Sequence, residues 1–285
     1  MSFEIPQIVL VLALALLLSG LLSMLMGPRG GRFRALPGWI GFWAFFGALL
    51  VMLSRTRHWI SVPLLGIVMF GSLKEYFFLA PVRPQDRWAI LFAYVSIPAC
   101  LYPVFVNSYG MFLTIILLAL FLLLPAILSI GSPQQGLLDS MGRVLLGLLV
   151  FVFCAAHLAW MVHLPTGHLE LFGVLVLASE LPQRLAGRFR LGERMLRSLT
   201  GLVGGAGLSA ASGAWLGPWV GVGLKEGVIA GILVAGSVTI GGLVTEAVAQ
   251  DLSLGPSTSR VGRAAILDRI TPVIYAAPLF FHFLN

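Results

Sequence analysis

Three carboxylates fall at the ends of the last two apolar stretches of this chain: Glu246 and Asp251 in "GGLVTEAVAQDLSLG", and Asp268 in "GRAAILDRITP". A fourth, Glu180 in "LASELPQRLAGRFR", closes an earlier stretch just ahead of five arginines spread over residues 184–197. Carboxylates beside surplus guanidinium groups suit phosphate chemistry. Magnesium takes one or two carboxylates together with substrate phosphates, and arginine grips phosphate oxygens in pairs. The same residues also suit plain interfacial solvation, with the arginines stopping an apolar segment at the membrane surface. Spacing alone leaves both readings open.

Apolar segments must position these groups. The 285 residues are 59% hydrophobic and 10% charged, whereas soluble domains are about a quarter charged. That balance excludes an ordinary soluble domain and predicts an all-α, polytopic membrane bundle embedded in the bilayer. Ten apolar stretches can be marked, at about 5–26, 38–54, 59–80, 88–106, 110–130, 143–163, 168–181, 199–219, 227–249 and 270–284. A span needs about 20 residues, so the seventh and tenth are short. No period-two alternation supports a β-barrel. The first stretch is too long for a signal-peptide core, and Arg29, Arg32 and Arg34 follow it where a small-residue cleavage site would be. It is expected to be a retained span.

Arginine sets the expected orientation. With both termini outside, fourteen of the sixteen arginines lie on the cytoplasmic side, and only Arg55 and Arg57, with Lys225, lie opposite. The expected location is a bacterial inner (cytoplasmic) membrane, with polar chemistry on the cytoplasmic face. Topology then explains the net charge of +7 without nucleic acid as a partner. Cys100 and Cys154 sit in apolar runs and read as packing residues.

Texture changes along the chain. Gly201, Gly205, Ser209, Gly213 and Gly217 recur four apart, and Gly227, Gly231, Ala235 and Thr239 repeat the pattern. Small residues at that spacing let helix backbones approach closely in lipid. The expected division is an N-terminal scaffold, 1–164, and a functional core, 165–285. Lys74 and Glu75, in "GSLKEYFFLAP", either snorkel to the interface or line a site. His157 and His163, six apart in "AAHLAWMVHLP", fall on different helix faces and read as hydrogen-bonded or interfacial rather than metal-binding. No matched pair of broken helices marks the chain as a transporter.

The run "GGLVTEAVAQDLSLGPSTSRVGRAAILDRITPVIYAAPLFFHF" resembles the closing signature of the phosphatidate cytidylyltransferase (CDP-diglyceride synthase) family. That signature runs G-D-L, Ser, Lys-Arg-Asp, a spacer, L-D-R and an aromatic helix. "GSLKEYF", "AAHLAWMVHLP" and "LASEL" resemble upstream stretches, so the likeness covers most of the chain from about residue 65. It implies transfer of a cytidylyl group from CTP to phosphatidate, giving CDP-diacylglycerol and pyrophosphate, with Mg2+ neutralising phosphate charge. It implies Asp268 and Arg269 as catalytic positions and Asp268, Glu246 and Asp251 as metal ligands. Glu180, Arg197, Ser198 and Arg263 become substrate-binding positions, Arg197-Ser198 standing where the family has Lys-Thr. The departures are specific: Gly242 replaces the first Asp, Ala249-Gln250 the Lys-Arg pair, Arg263-Ala264-Ala265 the H-G-G, and Thr271 the last Asp. Glu246, one turn beyond Gly242, is the replacement ligand. The alternative is a catalytically inactive relative that binds anionic phospholipid or nucleotide as partner of another lipid-modifying enzyme. Homo-oligomerisation stays open.

Overall fold

The structure, a computed structural model, describes residues 36–131, 135–188, 194–253 and 267–285. Among these residues there is no strand. The elements are α1 (Leu36–Arg55), α2 (His58–Leu79), α3 (Arg87–Phe105), α4 (Tyr109–Leu117), α5 (Leu124–Gly131), α6 (Leu137–Gly147), α7 (Ala155–Trp160), α8 (His168–Arg188), α9 (Arg194–Leu216), α10 (Leu224–Asp251) and α11 (Leu267–Leu284). Two π-helical stretches lie inside longer helices: Leu118–Leu123 joins α4 to α5, and Leu148–Cys154 joins α6 to α7.

Among the described residues, five helices are long and apolar enough to cross a membrane: His58–Leu79, Pro84–Phe105, Tyr109–Ile130, Leu137–His163 and Leu224–Asp251. They coincide with five of the ten expected stretches, as an all-helical membrane protein requires. The stretches at 38–54, 168–181, 199–219 and 270–284 fall on α1, α8, α9 and α11, which are shorter or less apolar. The stretch at 5–26 lies outside the described residues. Large apolar side chains project outward, among them Phe78, Phe121, Ile130 and Leu138. Such a surface suits lipid and would be a liability in water.

Two contacts fix the relative direction of α1 and α8. Trp43 bonds Glu180 and Ser54 bonds Glu170, so the two helices run antiparallel. The small-residue stripes sit at the α8–α9–α10 contacts as their spacing predicts. A Cβ on Gly205 would stand 2.8 Å from the Ser179 carbonyl oxygen, and one on Gly231 2.5 Å from that of Ser209. Gly213 and Gly227 face each other so closely that either Cβ would overlap the other's carbonyl. Side chains larger than hydrogen are excluded there, which is why these backbones can touch. Ser209 Oγ adds a 3.0 Å bond to the Leu175 carbonyl across the same seam. α11 lies against α10, with Gly241 on Pro272 and Tyr275. Its other neighbours include α7 and the second π stretch. One apolar core from Trp43 to Phe281 therefore runs through both expected parts of the chain.

Candidate functional site

The bundle has two chemically different ends. One carries the α2–α3 turn, the start of α6, the facing ends of α8 and α9, and the junction of α10 with α11. The backbone positions of Arg83, Arg87, Arg143, Arg184, Arg188, Arg194, Arg197 and Arg269 all fall at this end, and we call it the arginine end. Some of these cations hold the structure together. Arg83 Nε donates to Asp86 at 2.7 Å and to Ser140 Oγ at 3.0 Å, and its Nη1 donates to the Gln135 carbonyl. Arg143 reaches Asp139 and donates to the Pro81 carbonyl at 2.8 Å, while Tyr76 donates to the carbonyl of Arg143 at 2.8 Å. These bonds knit the α2–α3 turn to α6. Lys74 is exposed at the same end and Glu75 half-buried.

Glu180 is 3% exposed. Its carboxylate accepts from Trp43 Nε1 at 3.2 Å and pairs with Arg184 Nε at 3.0 Å. The Arg184 pair follows from i,i+4 spacing on α8, whereas the indole comes from 137 residues away. Next to it, Gln183 Nε2 donates to Ser179 Oγ at 3.1 Å and to Thr239 Oγ1 at 3.0 Å, tying α8 to α10. That bond also sets a depth scale. α8 and α10 run parallel, so Glu180 is level with about residue 236. Glu246 then lies roughly 15 Å further along the axis and Asp251 a further ~7 Å, at a 1.5 Å rise per residue.

The packing of Gly241 on Pro272 and Tyr275 gives the register of antiparallel α11. It places the backbone of Asp268 and Arg269 about level with Glu246. Glu246 is exposed, Arg269 is half-buried, and Asp251 is exposed at the last residue of α10. Glu246 and Asp251, five residues apart, point about 140° apart around the helix. The level of Glu246 thus gathers residues 268 and 269, whereas Glu180 sits deeper and Asp251 further out. At Gly242, where the resembled signature has Asp, a Cβ would meet nothing within 4 Å. The side chains of Arg197, Ser198 and Asp268, and the whole of Arg263, lie outside the described residues. Among the described residues no three His, Cys, Asp or Glu side chains cluster closely enough to hold a metal. Oxygen ligands such as Glu246 and Asp268 are of the hard type magnesium takes.

The opposite end holds all five histidines: His58, His157, His163, His168 and His282. Tyr109 Oη lies 3.1 Å from His157 Nε2 and 2.7 Å from His282 Nε2. His157 Nδ1 is 2.8 Å from the Phe153 carbonyl. Phe112, Phe153 and Phe281 surround the buried His157 ring, with centroids 4.8 to 5.7 Å away. His163 Nε2 donates to the Val104 carbonyl at 2.9 Å and its ring lies 4.9 Å from that of His58. On α8, the fully buried Glu170 accepts from Ser54 Oγ at 2.6 Å. Its other oxygen and His168 Nδ1 are buried without a hydrogen-bond partner among the described residues. Sequence spacing correctly separates His157 from His163 but misses the partners of His157. Tyr109 and His282 come from helices 48 and 125 residues away, and no local pattern marks them.

No protein-family profile matches the chain, and no solved structure matches it. It is similar to a protein of Escherichia coli (strain K12) named "Uncharacterized protein YnbB", with 27% identity over 260 residues covering 86% of this chain and 85% of that protein.

Proposed function

We propose that this chain is a membrane-embedded relative of the phosphatidate cytidylyltransferases that works at the arginine end. That end is the cytoplasmic face of a bacterial inner membrane, reached by ten spans with both termini outside. The reading is supported by the shared level of Glu246 with Asp268 and Arg269, at the motif with the strongest family likeness. Glu246 and Asp268 would hold Mg2+, which when bound supplies charge neutralisation and orientation for the phosphates of CTP. Arg197, Ser198, Arg263 and Arg269 would face those phosphates, with Arg supplying paired donors. Asp251 would contribute from solvent. Glu180, held by Trp43 and Arg184, would position the arginine that faces phosphatidate.

The test is formation of CDP-diacylglycerol from CTP by purified protein in phosphatidate-containing micelles with magnesium. Glu246→Gln and Asp268→Asn should each abolish magnesium-dependent CTP binding. Absence of CTP binding by the wild-type protein at millimolar CTP and magnesium refutes the enzymatic reading. A second reading, an inactive relative binding anionic lipid, is favoured by the missing carboxylate at Gly242 and the internal engagement of Glu180. It expects retention on phosphatidate vesicles, compared with phosphatidylcholine vesicles, without nucleotide turnover.

A further inference from the structure

At the histidine end, every hydrogen in the His157–Tyr109–His282 chain can be placed. A carbonyl only accepts, so the 2.8 Å contact to Phe153 puts the proton of neutral His157 on Nδ1 and leaves a lone pair on Nε2. Tyr109 then donates to His157 Nε2, and His282 Nε2–H donates to the Tyr109 oxygen. A ring nitrogen fixed on a backbone carbonyl, with the other nitrogen turned toward neighbouring donor atoms, is the arrangement that orients metal-binding histidines. Here His157 Nε2 lies 3.1 Å from a phenol oxygen that is itself 2.7 Å from a second imidazole Nε2. The two imidazole rings lie 5.4 Å apart between centroids. Phe112, Phe153 and Phe281 hold the buried ring in place. Trp160 packs edge-on against Tyr109 at 5.2 Å, and its indole N–H is buried without a hydrogen-bond partner among the described residues.

We propose that His157 Nε2, His282 Nε2 and Tyr109 Oη form a binding site for a borderline divalent transition metal, zinc or copper(II). Imidazole nitrogen suits both ions. Three protein ligands leave a fourth position for water. Binding replaces the two bridging hydrogens. The Tyr109 hydroxyl proton leaves to solvent, and the His282 proton moves from Nε2 to Nδ1, so one proton is released per metal bound. Affinity therefore rises with pH. The site is on the face away from the arginines and is independent of any nucleotide chemistry.

The experiment uses the full chain without an affinity tag, stripped of metal in detergent and titrated with copper(II), with zinc(II) as competitor. One copper per chain should bind, with a visible tyrosinate-to-copper charge-transfer band that only a large molar excess of zinc weakens. His282→Ala should weaken binding more than about tenfold, and Tyr109→Phe should remove the band. His58→Ala, in the neighbouring imidazole pair, should change neither. His282 is exposed, so its replacement leaves the core intact, and a melt of the metal-free variant verifies this. Absence of copper binding, or equal binding by wild type and His282→Ala, overturns the proposal.

Discussion

Gly213 and Gly207 lie on the same helix, six residues apart, and differ in what surrounds them. A methyl group at Gly213 would run into the backbone carbonyl of Gly227, whereas at Gly207 it would meet nothing within 4 Å. Backbone cannot rotate aside like a side chain, so Gly213→Ala must push α9 and α10 apart. Overpacking costs about 1–3 kcal/mol even where side chains can adjust. At Gly207 the same change removes the backbone freedom of glycine in a helix, stabilising by roughly 0.5–1 kcal/mol. The two variants should thus differ by about 2–4 kcal/mol. At roughly 2–4 °C per kcal/mol for chains of this general size, the melting temperatures should separate by about 5–15 °C. Both proteins are purified in one detergent and melted side by side, following helix circular dichroism. Gly213→Leu should be worse again. Equal melting of Gly213→Ala and Gly207→Ala would refute the close α9–α10 contact.

Two further outcomes follow from the same geometry. Ser54→Ala removes the 2.6 Å donor to the fully buried Glu170 and should lower stability by about 1–3 kcal/mol. Ser212→Ala, which breaks only a bond to its own helix, should melt as wild type. Reporter fusions after residues 190 and 260 should both read cytoplasmic, and an external signal from either would overturn the orientation.

The elements were legible in the sequence because their cause is local. Apolar runs bounded by Arg, Pro and Gly gave stretches that fall on helices from residue 36 onward, and four-residue spacing of Gly identified the helices that touch. The depth relations were not legible. Glu180 and Glu246 look equivalent as charges ending apolar runs, yet Trp43, far away in sequence, holds the first inside the bundle while the second is exposed. The histidine cluster was hidden for the same reason, since Tyr109, His157 and His282 meet only through the packing of α4, α7 and α11. Position 242 shows the converse. The resembled signature has an Asp there that this chain lacks, and in the fold a Cβ at Gly242 meets nothing within 4 Å.

The π-helical stretches bear on how such a chain can change over time. Adding or deleting one residue in a regular helix turns everything beyond it by about 100°. In a bundle, that exchanges core-facing and lipid-facing side chains along the whole remaining length. A π turn absorbs an additional residue locally, because its hydrogen bonds reach one position further. Leu148–Cys154 lies between the arginine-end half of its span and the half carrying His157. A single-residue gain or loss there is taken up within the π turn, so the histidine half keeps its facing and Arg143 keeps its bonds to Asp139 and Pro81. The two ends of the molecule therefore tolerate a change of length between them, with the slack placed in the middle of that helix.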